Sequence, residues 1–278
     1  APEIVKKLQK NPDMLKLGGE TQELSILFSD IRGFTTISEQ FKDNPQDLTR
    51  LINRYLTPMT HLVMESGGTI DKYIGDALMA FWNAPIEGDK ISHRIRSIET
   101  ALKMYISLDE LNKELKKEGK KELAIGIGIN TGNVVVGNMG SDQRFDYTCL
   151  GDAVNLSARL EGQTKAYGVK ILLGQETIKH IESKFKFIEL DKIAVKGKKE
   201  GITIYTILTE AFNYLKHENF LKYYKNREWD KANKLLTQLV EENPSLEFYY
   251  NMMLERVADL KINDPGKEWG KVYRAPSK

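Results

Sequence analysis

The 278 residues carry 41 Lys+Arg against 39 Asp+Glu, a net charge of +2, so the chain lacks the basic excess of a protein that coats nucleic acid. Hydrophobic residues at 41% and aromatics at 9% exclude a disordered tail and supply a substantial core. A single cysteine, Cys149, excludes an internal disulfide framework and a cysteine-rich zinc module.

Residues 1–22 are polar, lack an initiating Met, and end in Leu17-Gly18-Gly19. They read as a connector into a domain from a missing upstream region. From Glu23 to Asp30 the sequence alternates, with Leu24, Ile26 and Phe28 on one face, as in a half-buried strand. Leu48, Leu51, Ile52, Tyr55, Leu56, Met59, Leu62 and Val63 then recur at helical spacing, and Gly67-Gly68 supplies the stop. Two short strands flank Gly75-Asp76 as a hairpin. Ile91, Ile95, Ile98, Leu102, Tyr105 and Ile106 mark a second long helix, which fades into a solvated charge run from Lys113 to Lys121. Ala124–Ile129 and Val134–Val136 read as two strands joined by a turn at Asn130-Thr131-Gly132-Asn133. A helix carrying Val154, Leu156, Ala158 and Leu160 follows Gly151-Asp152, with Asp152 as its N-cap. Ile202–Leu208 reads as a further strand. This order predicts an α+β domain over residues 23–210: a ferredoxin-like βαββαβ sheet core with helices on one face.

From Glu210 the texture changes. Residues 211–278 hold 11 of the 25 aromatics, and helical periodicity replaces strand signals: Trp229, Ala232, Leu235, Leu236 and Leu239, then Leu246, Tyr249, Met253, Leu254 and Val257. The segment is expected to form a helical C-terminal appendage that packs on the main domain, with a docking surface for another protein as the alternative. No apolar run approaches the ~18 residues that span a membrane. The four histidines, His61, His93, His180 and His217, show no metal-ligand spacing, and His61 and His93 read as surface or capping residues.

Three segments carry chemistry. In Phe28-Ser29-Asp30-Ile31-Arg32-Gly33-Phe34-Thr35 a strand ends in a carboxylate, and a glycine turns the backbone into a helix. Backbone N–H groups at such a turn hold phosphate oxygens, while the aspartate holds a divalent cation. In Asp71-Lys72-Tyr73-Ile74-Gly75-Asp76, Asp76 sits at a hairpin tip. If the two strands adjoin, Asp30 and Asp76 stand side by side, and a Mg²⁺ or Mn²⁺ ion serving a nucleoside triphosphate relieves their repulsion. Strand alternation sends Asp71 away from Lys72, which leaves it outside the site. The third segment runs from Phe145 to Leu160. There Asn155 and Arg159, four apart on a helix, present an amide and a guanidinium suited to a sugar and a phosphate. Cys149 within it reads as buried filler.

Together the three segments resemble the catalytic domain of class III nucleotide cyclases, over about residues 20–209. The resemblance implies Asp30 and Asp76 as metal-binding aspartates, with the Ile31 carbonyl and the Gly33, Phe34 and Thr35 backbone completing the metal and phosphate contacts. It implies Lys72 and Thr148 as the base-selecting pair, Asn155 and Arg159 as transition-state residues, and Lys196 as a contact to the terminal phosphates. Lysine at position 72 points to adenine, where guanylate cyclases usually carry Glu. Many adenylate cyclases have Asp where this chain has Thr148, and the Thr variant resembles the subgroup that includes bicarbonate-responsive cyclases.

The implied activity is adenylate cyclase: ATP to 3′,5′-cyclic AMP and pyrophosphate, with two Mg²⁺ (or Mn²⁺) ions per site. Family members place the metal carboxylates on one subunit and the base-selecting and transition-state residues on the other. One complete set in this chain therefore implies a head-to-tail homodimer, with the hairpin near Asn138–Asp146 as a dimer arm. No nucleic-acid partner is expected. The location implied is cytoplasmic, free or as the cytoplasmic part of a membrane-anchored receptor with an upstream sensor. The alternatives are guanylate cyclase activity or a catalytically silent nucleotide-binding module.

Overall fold

The computed structural model describes residues 17–85, 88–89, 91–194, 201–209, 212–266 and 269–273. Lys196 and residues 1–16 of the connector lie outside the described residues. The elements that build the main domain are β1 (Gly18–Ile31), α1 (Phe34–Glu39), α2 (Pro45–Glu65), β2 (Thr69–Ile74), β3 (Ala77–Trp82), α3 (Ser92–Lys117) and β4 (Ile125–Gly140). They continue with β5 (Phe145–Leu150), α4 (Asp152–Tyr167), β6 (Ile171–Gly174), the single turn α5 (Gln175–Ile178), β7 (Lys186–Ile193) and β8 (Ile202–Leu208).

The strands form one sheet in the order β2-β3-β1-β4-β6-β8-β7, with β5 paired to the far half of β4. β1, α2, β2, β3, α3 and β4 make the expected βαββαβ core. Both crossover helices cover one face, where Tyr55, Met59, Ile98 and Met104 pack on Leu27, Leu78, Trp82, Ile127 and Ile129. The opposite face carries Leu24, Ile26, Met79, Phe81, Val134 and Cys149, with Val154 of α4 over them.

β1 begins at Gly18, opposite Asn138, five residues before the alternation becomes visible. From Leu24 onward it is also buried on both faces rather than one. Ser25 and Ser29, which read as solvent-facing, are buried and hydrogen-bonded: Ser25 to Thr131 and His93 at 2.8 Å each, Ser29 to the Tyr55 hydroxyl at 2.9 Å. Small hydroxyls whose partners come from other elements fit a core that alternation alone reads as exposed. His93 is accordingly a buried partner of Ser25, not a surface residue.

The expected turn at Asn130–Asn133 does not form. β4 runs unbroken for 16 residues, and Asn130, Thr131, Gly132 and Asn133 pair with Ile26, Ser25, Leu24 and Glu23. Turn-forming residues are tolerated because the Asn130 amide donates to the Ala153 carbonyl (3.1 Å), so its side chain has a tertiary partner instead of a local one. The hairpin comes later, where the Ser141 N–H donates to the Arg144 carbonyl at 2.8 Å between β4 and β5.

The appendage forms α6 (Tyr214–Lys225), α7 (Trp229–Glu242) and α8 (Glu247–Ile262). Phe220, Tyr224, Leu236, Tyr249 and Met253 share one apolar cluster with Leu160 and Tyr167 of α4 and with Leu172, Leu190 and Ile204 of the sheet. A buried ion pair between Arg256 and Asp191 crosses the same junction, and the Tyr167 hydroxyl donates to Asp191 at 2.5 Å. Among the described residues no helix is long and apolar enough to cross a membrane.

Candidate active site

β1 ends at Asp30 and Ile31, and the chain turns through Gly33 into α1. Gly33 takes φ 69°, a left-handed conformation that a side chain would strain. Thr36 and Ile37 donate their N–H groups to the Gly33 carbonyl at 3.0 and 3.2 Å. The N–H groups of Gly33, Phe34 and Thr35 thus precede the first helical hydrogen bond, which leaves them to meet an anion.

The β1–β3 pairing, which ends at Ser29↔Leu78, brings the end of β1 close to the hairpin tip that carries Asp76. The Asp76 carboxyl therefore meets that of Asp30. Burial first, then the hydrogen bond and charge of Asp30, push the Asp76 carboxyl up from 3.8 to about 6. Asp76 Oδ2 is buried without a hydrogen-bond partner, although the residue as a whole is partly exposed. A divalent cation fits this pair, because it cancels the repulsion and gives the orphaned oxygen a bond. Among the described residues no three His, Cys, Asp or Glu side chains form a metal cage. Such an ion would draw its other ligands from a backbone carbonyl such as that of Ile31, from water and from substrate oxygens, as Mg²⁺ sites commonly do.

On β2 the expectation for Asp71 fails. A bulge between Ile70 and Lys72 sets two residues of β2 against one of β3, and this cancels the alternation that should separate Asp71 from Lys72. The Asp71 side chain is fully buried, and its Oδ1 lies 3.2 Å from Lys72 Nζ. The Thr148 hydroxyl donates to Asp71 Oδ2 at 2.6 Å, and the Cys149 N–H donates to the same oxygen at 3.4 Å. The two residues expected to select the base are thus brought together by a third that sequence reasoning set aside. The available signal was an aspartate inside a strand, where carboxylates are depleted. Cys149 is buried as expected. Burial, reinforced by the Asp71 charge, pushes its thiol up to about 12, so it stays protonated and unreactive at neutral pH.

α4 presents Asn155 and Arg159 together on its exposed face. Its closeness to the sheet depends on Gly128, where a Cβ would meet Glu161 N at 2.2 Å and Ser157 O at 2.4 Å. The Ser157 hydroxyl shares its one proton between the Ile26 carbonyl (2.7 Å) and the Gly128 carbonyl (3.0 Å), which fixes the helix over β1 and β4. The N-cap is Gly151, not Asp152: Asp152 occupies the first helical turn, where its charge suits the helix dipole. A cavity of about 340 Å³ beside α4 is lined by Arg159, Tyr167, Met252, Arg256 and Tyr273, so the appendage borders the helix that carries the candidate transition-state residues. Glu161 was not anticipated. Burial, then the Asp30 charge, push its carboxyl up to about 7 despite Arg32 nearby.

The family described as "Adenylate and Guanylate cyclase catalytic domain" matches residues 18–209. An adenylate cyclase of Anabaena cylindrica is 39% identical over 194 residues, covering 67% of this chain and 37% of that protein. The crystal structure of the adenylyl cyclase CyaB from P. aeruginosa superposes with a TM-score of 0.65 at 35% identity, covering 70% of this chain and 98% of that one. The guanylyl cyclase Cya2 superposes with a TM-score of 0.61 at 31% identity, covering 71% and 98%. The chain spans 37% or less of the length of the first three curated relatives.

Proposed function

The chain belongs to the adenylate and guanylate cyclase catalytic-domain family, the class III nucleotide cyclases, and from that premise we propose that it converts ATP to 3′,5′-cyclic AMP and pyrophosphate. The observation that carries this reading is the Asp30–Asp76 pair beside the N–H groups of Gly33, Phe34 and Thr35. Proteins of this family use divalent metals. Two Mg²⁺ or Mn²⁺ ions held by Asp30, Asp76 and the Ile31 carbonyl would supply charge neutralisation and would acidify the ribose 3′-hydroxyl. The turn N–H groups would receive the β- and γ-phosphates, with Lys196 contacting the terminal phosphates. Asn155 would hold the ribose so that its 3′-oxygen lines up with the α-phosphorus. Arg159 would stabilise charge growing on the α-phosphoryl oxygens, an effect usually worth several kcal/mol. No side-chain nucleophile is needed.

Lys72 and Thr148, which both meet the Asp71 carboxylate, support adenine as the base. The proposed assembly is a head-to-tail homodimer in which Asp30 and Asp76 of one copy face Lys72, Thr148, Asn155 and Arg159 of the other. Exposed apolar side chains support it: Tyr73 and Ile74 near the hairpin tip, and Val135 with its cross-strand partner Leu150. We place this activity in the cytoplasm, where ATP is supplied. Incubation with Mn²⁺ and either ATP or GTP, followed by product chromatography, tests the reading. Cyclic AMP is the expected product. Cyclic GMP alone would reverse the base assignment, and no product from either nucleotide would leave the silent-module alternative.

A further inference from the structure

The family resemblance gives Lys72 and Thr148 a role but assigns none to Asp71, whose carboxylate lies buried between them. Its two oxygens do different things. Oδ2 receives the Thr148 hydroxyl proton at 2.6 Å and the Cys149 N–H at 3.4 Å. Oδ1 faces Lys72 Nζ at 3.2 Å and has no hydrogen-bond partner of its own. We propose that Asp71 is a specificity-determining positioning residue: it commits the Thr148 hydroxyl proton to itself and anchors the Lys72 ammonium, so that the pair can read adenine and not a 6-oxopurine. The proposal rests on the base-site reading given above.

A threonine hydroxyl has one proton and two lone pairs. With the proton held by a carboxylate, Thr148 can offer a base only lone pairs, and it becomes an obligate acceptor. Lys72 offers only N–H donors. The pair therefore presents one acceptor and one donor. Adenine has the matching pattern on that edge, a 6-amino donor beside the N1 acceptor. Guanine and hypoxanthine have the reverse, a 6-oxo acceptor beside an N1–H donor. A free threonine hydroxyl could turn and donate to the 6-oxo group, but the Asp71 contact removes that option. A site whose polar groups would be left mispaired rejects the wrong partner strongly. The bulge at Ile70–Lys72 makes this possible, because without it Asp71 and Lys72 would face opposite sides of β2. Where other adenylate cyclases carry a carboxylate at the position of Thr148, this chain brings one from β2.

Asp71→Asn keeps size and shape but has no orientation that serves both neighbours. With its amide oxygen toward Thr148 and the Cys149 N–H, its NH₂ group confronts the Lys72 ammonium. Flipped, it donates to Thr148 and frees the hydroxyl proton to turn toward the base. Either orientation weakens adenine preference.

The experiment measures equilibrium binding of 3′-deoxy-ATP, 3′-deoxy-GTP and 3′-deoxy-ITP, which cannot cyclise, to the full chain in Mg²⁺, with thermal unfolding recorded for each variant. The wild type should favour 3′-deoxy-ATP and reject 3′-deoxy-ITP as strongly as 3′-deoxy-GTP, because the 6-oxo group and N1–H cause the rejection. In Asp71→Asn the adenine-to-hypoxanthine ratio should fall at least about tenfold, the scale of one mispaired buried hydrogen bond. In a Thr148→Val background the same substitution should change the ratio markedly less, since one of its two routes is gone. A folded Asp71→Asn protein with an unchanged ratio would overturn the proposal while leaving the base site intact. Wild-type binding of 3′-deoxy-ITP as tight as that of 3′-deoxy-ATP, with 3′-deoxy-GTP rejected, would overturn it without any variant. A wild type with no preference among the three would instead sink the base-site reading itself, and the role of Asp71 with it.

Discussion

If the Asp30–Asp76 pair is built for a cation, it should cost stability when no cation is present. The Asp76 carboxyl moves up from 3.8 to about 6, mainly through burial and next through Asp30. About two units at ~1.4 kcal/mol each would give ~3 kcal/mol for a fully desolvated group. Asp76 is partly exposed, so solvent screening reduces the usable figure to about 1 kcal/mol. The sign follows from proton binding. The folded chain holds this proton more tightly than the unfolded one, so the favourable contribution is complete below pH ~4 and is lost as pH rises through ~6. At pH 7.5 in EDTA, Asp76→Asn should therefore melt higher than the wild type, by roughly 2–4 °C for a domain of this size. At pH 4.5 the difference should shrink towards zero. Adding Mn²⁺ at pH 7.5 should raise the wild-type melting temperature by mass action and leave the Asn variant nearly unmoved. The variant should be inactive throughout. Thermal unfolding by circular dichroism reads each of the melting shifts without nucleotide. An Asn variant that melts lower in EDTA, or that gains as much from Mn²⁺ as the wild type, would refute the cation site.

Three further outcomes test the assembly and the appendage. Asp30→Asn and Arg159→Ala chains, each inactive alone, should regain about a quarter of wild-type activity when mixed: half of the dimers are mixed, and each has one intact site of two. A mixture as dead as its parents would exclude shared sites. Arg256→Ala should lower unfolding free energy by about 3–5 kcal/mol in urea, because the buried Asp191 carboxylate loses its ion-pair partner; a cost below 1 kcal/mol would contradict that burial. His217 is buried, donates through Nε2 to the Glu189 carbonyl at 2.6 Å and accepts from the Tyr250 hydroxyl at 3.0 Å; burial moves its pKa from 6.5 down to about 4. The unfolded chain then binds the extra proton between pH 6.5 and 4. The wild type should lose ~3 kcal/mol more than His217→Gln on acidification from pH 7 to 4, and equal losses would show that His217 is not held neutral.

The parts of this molecule that were legible in its sequence are those whose partners lie close along the chain. The periodicity of α2 and α3, the Gly75-Asp76 hairpin and the four-residue spacing of Asn155 and Arg159 depend on local geometry, and all appear where the pattern puts them. Apart from the one-residue shift of the N-cap from Asp152 to Gly151, the misreadings share a physical cause: a polar residue whose partner belongs to another element. Asn130 and Asn133 look like a turn until β1 pairs with them, and Ser25 and Ser29 look solvent-facing until Thr131, His93 and Tyr55 reach them. Asp71 is the case with the largest functional consequence. Alternation is a rule about an unbroken strand, and a bulge is invisible to it, because the extra residue is defined only by what β3 places opposite. An aspartate buried inside a strand without a partner would be costly enough to unfold many domains. Finding one in a strand pattern is therefore itself a reason to look for its partners, and here they are Thr148, donating from another strand, and the adjacent Lys72 ammonium, the two side chains expected to choose the base.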